Sequence, residues 1–249
     1  MHKLIMTSAV YRQASRHTPQ QELKDPDNRL LSRMNVRRVE AEVLRDSILA
    51  VSGKLNPKRF GPSVPVTPDE VGQIVIGVDT RDSAGRPSSK TVSLGDDVFR
   101  RSVYVQVRRS MPLSMLESFD APTMSSSCNC EVRSASTVAP QSLIMLNSEF
   151  QLEQAGQFAE RLRNTSSGAA EQVKLAWLLA LAREPEKQEL ADALTFLESQ
   201  TATFVAAQKP AEKTPPAKPP AVKLPTPAER ALANLCQALL SSNEFLYVD

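Results

Sequence analysis

Residues 100–150 read RRSVYVQVRRSMPLSMLESFDAPTMSSSCNCEVRSASTVAPQSLIMLNSEF, and we expect the rest of the chain to be organised around this stretch. Valines alternate with polar residues over Ser102–Arg108, which predicts a strand with one apolar face. At the other end, Ser148 begins the capping motif SEFQ, which predicts the start of a long helix. The stretch therefore supplies a strand, an acidic turn and a helix start to the fold.

Helical patterns dominate the chain on both sides of this stretch. Apolar residues at spacings of three and four predict a helix over residues 36–51, which Gly53 ends. Arg45 lies on the face of this helix that is predicted to be solvated and salt-bridged. Two further apolar stripes predict an αα-hairpin over residues 169–200.

Strands are few in the predicted fold. The segment Ile74–Val78 alternates like Ser102–Arg108, and a third strand is expected around Val92 and Leu94. The segment 56–68 contains four prolines and is predicted to be a loop. The fold class is therefore mainly α (α+β): a helical domain with an αα-hairpin and a small antiparallel sheet of two or three strands at about residues 73–108.

Composition divides the chain into three parts. Residues 1–208 are predicted to form a single, mainly helical domain that contains the small sheet. Residues 209–227 hold seven of the 18 prolines and four lysines, which predicts a semi-rigid linker. A capping box at Thr226 and an apolar stripe that includes Cys236 predict that residues 228–249 form a helix that docks back on the domain.

Bulk properties exclude several classes of protein. The net charge is +2 and aromatic residues make up 5% of the chain, so neither a nucleic-acid-binding surface nor a base-stacking platform is expected. The apolar runs are far shorter than the roughly 20 residues of a membrane span, and the N-terminus lacks the pattern of a signal peptide. Three cysteines in 249 residues do not predict a disulfide framework.

Charged residues around the predicted strand form the first candidate site. They are Arg101, Arg108, Arg109, Glu117 and Asp120. Because acids and bases interleave, internal ion pairs are the simpler interpretation. The functional interpretation is a site for an anion or a carboxylate-bearing sugar, in which the two carboxylates act as an acid/base pair.

Cys128 and Cys130 form the second candidate site, for metal binding or redox chemistry. A zinc site needs four ligands, and the two histidines, His2 and His17, lie far away in sequence. The pair also lacks the CxxCH pattern of covalent haem attachment. Cysteines of a loop that packs against the sheet are the simpler interpretation, and no cofactor is predicted.

Five groups of residues resemble one known family. They are HKLIMTSAVYRQ, DPDNRLLSRMNVRRVEAEVLRDSILAVSG, RRSVYVQVRRS with LESFDAP, RSASTVAPQSLIMLNSEF and ALANLCQALLSSNEFLYVD. Together they resemble the C-terminal domain of unknown function (number 1553 in the domain-of-unknown-function series) of planctomycete cytochrome c-like proteins. The resemblance spans nearly the whole chain, and its variable parts are the proline-rich insert and the loop at residues 54–95.

The family has no established activity, so the resemblance implies a cellular setting and no reaction. Its members are usually exported and carry this domain after other uncharacterised domains, often with a c-type haem domain near the N-terminus. A periplasmic or cell-envelope location is therefore implied. This chain departs from that pattern in its lack of upstream domains, a haem motif and an export signal, which predicts a truncated or split version or a late start.

Two functions are compatible with these observations. The first is a non-catalytic interaction or scaffold domain of a cell-envelope protein, whose partners are the upstream domains of a full-length homologue or another protein. The second is a ligand-binding or catalytic domain that acts on an anionic substrate such as an acidic or sulfated polysaccharide. The first is favoured because no catalytic constellation is apparent in the sequence.

Overall fold

The computed structural model describes residues 1–16, 18–81, 92–122, 136–207 and 225–248. Its α-helices are α1 (His2–Met6), α2 (Pro19–Lys24), α3 (Ala41–Ser52), α4 (Ser114–Ser118), α5 (Ala139–Asn147), α6 (Glu149–Thr165), α7 (Ala169–Leu181), α8 (Lys187–Ala207), α9 (Pro227–Leu240) and α10 (Asn243–Leu246). Its strands are β1 (Arg37–Arg38), β2 (Val66–Pro68), β3 (Ile74–Ile76) and β4 (Tyr247–Val248), and its 3-10 helices are Gly95–Phe99 and Ser102–Tyr104. The mainly α (α+β) class is confirmed.

The chain divides into two compact units. The first comprises Met1–Val39 together with Ser242–Asp249, and the second comprises Glu40–Ser241. Most of the predicted linker, residues 209–224, lies outside the described residues. In the part of the chain that the structure does describe, no helix has the length and apolar character needed to cross a membrane.

The first unit explains why the predicted helix over residues 36–51 begins late. β1 pairs antiparallel with β4, and the amide of Val39 donates to the carbonyl of Leu246 at 2.9 Å. These bonds hold the backbone before α3 extended, so α3 begins at Ala41. Its end is as predicted, because Gly53 follows it in the left-handed region with a φ of 80°.

Four helices form the main core of the second unit. α9 packs against α8 and α6, and α6 packs against α3. The side chains buried among these helices include Leu44, Ile48, Leu49, Phe158, Leu162, Leu232, Cys236 and Leu240. Burial raises the pKa of the Cys236 thiol, so this cysteine acts as a small apolar core residue.

Capping residues begin α6 and α9 where the sequence predicts them. The hydroxyl of Ser148 accepts from the amide of Gln151 at 3.3 Å at the start of α6. The hydroxyl of Thr226 accepts from the amide of Glu229 at 3.3 Å at the start of α9. The predicted αα-hairpin is confirmed as α7 and α8, and Ala182, directly after the last residue of α7, has a left-handed φ of 55°.

The sheet of the second unit has two strands, within the two or three that the sequence predicts, but it begins earlier in the chain than expected. β2 pairs antiparallel with β3, so the strand at residues 74–78 is confirmed in its first half and the expectation of a loop over 56–68 is wrong at its end. The strand predicted around Val92 and Leu94 is also wrong, because Leu94 precedes the 3-10 helix Gly95–Phe99.

The strand predicted at Ser102–Arg108 is wrong as well. Its first residues form a 3-10 helix, and Val103 is 71% exposed while Val105 is buried. Isolated bonds to a neighbouring segment replace a regular ladder: the amide of Val64 donates to the carbonyl of Tyr104 at 2.7 Å, and the amide of Gln106 donates to the carbonyl of Val64 at 2.8 Å. Of the alternating valines, Val105 is the one that is buried, so they do not form the apolar face of a strand.

Candidate functional site: a buried arginine cluster

Arg45 lies in the interior of the second unit although the sequence predicts it on a solvated face. Its side chain is 2% exposed. One terminal nitrogen, Nη1, donates to the carbonyl of Arg100 at 2.9 Å, and the other, Nη2, donates to the carbonyl of Val98 at 2.8 Å. Arg45 thus ties α3 to a chain segment more than 50 residues away.

The guanidinium of Arg45 stays charged although its burial disfavours the charged form. Burial lowers the pKa of its guanidinium from 12.5 to about 10, and the neighbouring Asp46 opposes this effect. The guanidinium carbon also lies 5.7 Å from the centre of the Phe150 ring, within the range of a cation–π contact. At neutral pH the group therefore remains a buried cation.

Asp46 attaches the 3-10 helix Ser102–Tyr104 to α3. Its carboxylate accepts from the Ser102 amide at 2.7 Å and from the Ser102 hydroxyl at 2.8 Å. It also accepts from Nε of Arg101 at 3.2 Å. The side chain of Arg101 is 62% exposed and that of Asp46 is 17% exposed, so this ion pair lies at the rim of the cluster.

Arg100 is a second buried arginine, 1% exposed. Its Nη1 donates to the carbonyl of Pro62 at 2.9 Å and its Nη2 donates to the carbonyl of Phe60 at 2.7 Å. The guanidinium carbon lies 4.0 Å from the centre of the Tyr104 ring. Arg100 therefore fixes the backbone of the loop before β2. We refer to Arg45, Asp46, Arg100, Arg101 and Ser102 as the arginine cluster.

The arginine cluster can position backbone, and its buried guanidinium groups are not presented to a substrate. The terminal nitrogens of both buried arginines are aimed at backbone carbonyls, which are strong acceptors for a charged donor. Because a buried cation is stable only when such bonds are made, the loops that supply the carbonyls are ordered with it.

The structure brings Arg101 into this cluster and leaves the other basic candidates outside it. Arg108 is half-buried and Arg109 is exposed. The pKa of Asp79 is lowered mainly by the hydrogen bond from Arg81, and the charge of Arg108 adds a smaller effect. Arg108 therefore lies within electrostatic reach of a carboxylate that is not one of the predicted site residues.

The two acidic candidates have different surroundings. Glu117 is exposed on α4. Asp120, with a left-handed φ of 60°, accepts from the Ser136 amide at 2.7 Å and from its hydroxyl at 2.9 Å. Gln141, buried at the start of α5, donates to the same hydroxyl at 3.2 Å. Asp120 thus connects the chain after α4 to the segment that enters α5.

The cysteine pair cannot be placed in the same way, because Cys128 and Cys130 lie outside the described residues. Within the described ranges, no group of three or more histidine, cysteine, aspartate or glutamate side chains is arranged to hold a metal ion.

A cavity of about 340 Å³ lies at the end of α3. It is lined by Gly53, Lys54, Leu55, Asn56, Pro57, Asp96 and Phe99. The amide nitrogen of the Asn56 side chain donates to the carbonyl of Asp96 at 3.0 Å, which joins the two chain segments that form the walls. The lining mixes apolar surface with one base and one acid, so the cavity suits a side chain better than a compact anion.

Sequence reasoning missed both buried arginines. One signal was present: Arg45 directly follows the buried Leu44 and precedes Ile48 by three residues, so it borders the apolar stripe of α3. For Arg100 no local signal existed, because its carbonyl acceptors lie about 40 residues earlier in the chain.

Comparison with known proteins identifies one family. The model of the family described as "PSD1: Protein of unknown function (DUF1553)" matches residues 1–197. No curated protein and no solved structure matches the chain.

Proposed function

The chain belongs to the DUF1553 family of proteins of unknown function, and we propose that it is a non-catalytic interaction domain of a larger cell-envelope protein of the planctomycete cytochrome c-like type. The surface that carries this role is the first unit, Met1–Val39 with Ser242–Asp249. Its partner is another domain of that protein or a protein bound to it.

The observation behind the proposal is the exposure of large apolar side chains in the first unit. Those that are more than half exposed include Leu4, Met6, Val10, Tyr11, Leu23, Leu30, Leu31 and Val36. Among the described residues of this unit, Phe245 is the large apolar side chain that is buried. Covering a leucine or methionine is worth about 1.5 to 3 kcal/mol, so this surface gains most from a partner.

The bonding of the arginine cluster supports a structural role over the alternative, a site for an anionic substrate such as an acidic or sulfated polysaccharide. Such a site needs guanidinium groups that converge on a ligand. The terminal nitrogens of Arg45 and Arg100 donate to backbone carbonyls, and Arg101 is paired with Asp46.

Polar substitutions test the proposal. We expect the wild-type chain to bind an apolar dye and to self-associate as its concentration is raised, measured by dye fluorescence and sedimentation velocity. A triple variant with Leu4→Gln, Leu23→Gln and Leu30→Gln should lose most of both signals.

A matched control changes three apolar residues of the second unit that are also at least half exposed. These are Leu143, Leu146 and Leu152, each replaced by glutamine. The control should retain most of the dye binding and self-association. A monomeric wild-type chain that binds no dye would refute the proposal, and so would equal effects of the two triple variants.

A further inference from the structure

We propose that the loop formed by residues 25–33 is the contact element of the first unit, and that it binds an acidic polypeptide segment that carries apolar side chains. We refer to these residues as the leucine loop. The inference rests on the role proposed for the first unit and specifies its partner. It follows from the burial and the hydrogen bonds of the loop and from the exposed charges of the unit.

The leucine loop buries polar side chains and exposes apolar ones. Asp25 is 7% exposed and Asn28 is 5% exposed. Leu30, in contrast, is 78% exposed and Leu31 is 58% exposed. This is the reverse of the usual distribution, in which leucine is buried while aspartate and asparagine face solvent. The packing of the first unit therefore does not account for these two leucines, whereas a partner that covers them would.

Hydrogen bonds from the two buried polar side chains fix the shape of the loop. The carboxylate of Asp25 accepts from the amide of Arg29 at 2.7 Å and from the amide of Leu30 at 2.8 Å. The side-chain nitrogen of Asn28 donates to the carbonyl of Arg33 at 2.8 Å, and its side-chain oxygen accepts from the amide of Arg33 at 3.3 Å. Because the loop is ordered before a partner arrives, less entropy is lost on binding.

Arg33 closes the loop, and Leu31 is held in a left-handed conformation. The guanidinium of Arg33 donates to the carbonyl of Asp25 at 3.2 Å and to the carbonyl of Pro26 at 2.8 Å. Leu31 has a φ of 54°, in a region that leucine rarely adopts. Strained residues that the surrounding structure holds in place cluster at functional surfaces. Here the strain falls on a side chain that the loop exposes.

The exposed charge of the first unit is positive. Among its described residues, the exposed bases are Lys3, Arg12, Arg16, Lys24, Arg29 and Arg37. The exposed acids in the same described part are Glu22, Asp27 and Glu244. Asp25 and Arg33 are excluded from both sets, because each is bonded inside the loop. At the loop itself, Lys24 and Arg29 outnumber Asp27, so acidic groups complement this surface.

The combination of charge, apolar surface and fixed shape favours a polypeptide as the partner. A sulfated polysaccharide offers anions but no apolar surface to cover the two leucines. A bilayer that contains anionic lipids offers both, but it is fluid and has no fixed shape to match an ordered loop. A protein segment presents acidic and apolar side chains in defined positions, so it benefits from a loop that is already ordered.

Binding of defined polymers tests the inference. The probes are a random copolymer of glutamate and leucine, a random copolymer of lysine and leucine, poly-glutamate, and vesicles of phosphatidylcholine and phosphatidylglycerol. Each is titrated against the fluorescently labelled full chain, at a concentration at which sedimentation velocity shows a monomer. We expect the glutamate–leucine copolymer to bind most tightly, by about tenfold over the lysine–leucine copolymer, because only the former complements the exposed bases. Poly-glutamate should bind more weakly because it lacks apolar side chains.

Two variants change the loop in different ways. Leu31→Asn removes the apolar side chain, and asparagine tolerates the left-handed region, so binding of the glutamate–leucine copolymer should weaken by about tenfold. Asn28→Gly keeps a residue that tolerates the φ of 52° and removes the bonds to Arg33. It should also weaken binding, although both leucines remain. Circular dichroism checks the folding of each variant, and Leu31→Gly replaces Leu31→Asn if that variant folds poorly.

Leu4→Gln is the matched control, because Leu4 is 76% exposed in the same unit and lies on α1, outside the leucine loop. It should change the affinity for the glutamate–leucine copolymer by less than about twofold. An effect of Leu31→Asn no larger than that of Leu4→Gln would overturn the inference, and so would equal binding of the two leucine copolymers.

Three other results would also overturn the inference. They are no binding of the glutamate–leucine copolymer, tighter binding of the vesicles than of that copolymer, and self-association of the chain that Leu31→Asn abolishes. The second would indicate a lipid surface and the third a second copy of the chain. A chain that binds the apolar dye but fails these tests keeps the role proposed for the first unit and loses only the leucine loop as its contact element. A monomeric chain that binds no dye contradicts the proposed role itself.

Discussion

Replacing Arg45 by methionine should lower the free energy of unfolding by about 3 kcal/mol, a large effect for one side chain. Methionine keeps most of the apolar stem of the arginine and removes the guanidinium. The carbonyls of Val98 and Arg100 then lose their donors inside the protein. The substitution therefore isolates the contribution of the buried bonds from that of packing.

The magnitude follows from two opposing effects. Burial lowers the pKa of Arg45 from 12.5 to about 10, which means that the fold opposes this charge by about 3 kcal/mol. Three donor contacts, two to carbonyls and one at 3.3 Å to the Ser102 hydroxyl, oppose that penalty with about 1.5 to 3 kcal/mol each. The acceptors left unpaired add to the loss, so the bonds outweigh the penalty and the net effect is destabilising.

Urea denaturation measures the effect, with the fluorescence of Trp177, the single tryptophan, as the signal. Trp177 is 8% exposed on α7 in the same unit, so it reports unfolding of that unit. The control is Arg101→Met, which removes an exposed ion pair and should cost less than about 1 kcal/mol. A loss of less than about 1 kcal/mol for Arg45→Met would refute the reasoning. The stability from the carbonyl bonds would then be no larger than the desolvation penalty of the buried charge.

Three further predictions test other parts of the fold. Gln151→Met should raise the free energy of unfolding by about 1 to 2 kcal/mol, because neither amide atom of this buried residue has a partner among the described residues. Gln154→Met breaks a bond at 2.8 Å to a serine hydroxyl and should lower the free energy of unfolding by about 1 kcal/mol. A lower free energy of unfolding for Gln151→Met than for the wild type would contradict the reasoning. Ala182→Gly should stabilise by about 0.5 to 1 kcal/mol because its φ is left-handed, whereas Gly53→Ala should destabilise in the same urea assay. The hydrogen bond from Arg183 holds the pKa of the Glu189 carboxyl at about 2, below its ordinary value of 4.5. The stability that results is present above pH 4.5 and is lost as the pH falls towards 2. Wild-type urea midpoints should therefore drop between these pH values more than those of Glu189→Gln.

Local signals in the sequence predict the helices well. The caps at Ser148 and Thr226 are confirmed by their bonds to amides three residues later. The end of α3 at Gly53 and the αα-hairpin are also confirmed. These features could be predicted because a cap or an apolar stripe depends on residues within one or two helical turns.

The same reasoning fails where the partners are distant in sequence. The valine alternation at Ser102–Arg108 predicts a strand, but among the described residues it has only the isolated pairing with Val64 and no continuous partner strand. Bonds to Asp46 favour a 3-10 helix at its start. The helix predicted from residue 36 is shortened because pairing of β1 with β4 holds its first residues extended. In both places tertiary bonds override local propensity.

The candidate site shows this division most clearly. The five charged residues of the first candidate site lie close together in sequence, and the structure brings only Arg101 among them into the arginine cluster. Whether those five residues form a functional site remains a prediction. The cluster is built instead on Arg45 and Arg100, whose carbonyl acceptors lie 38 to 55 residues away.

The sequence alone determined the helical class, the positions of the caps and the apolar stripes, because each depends on bonds or contacts within a few residues. Three features depend on the folded chain: the burial of two arginines, the exposure of Phe60 with a left-handed φ, and the apolar side chains displayed by the first unit. The physical reason is that the energy of a buried charge or an exposed ring depends on solvent access and distant acceptors. Neither can be known until the chain has folded.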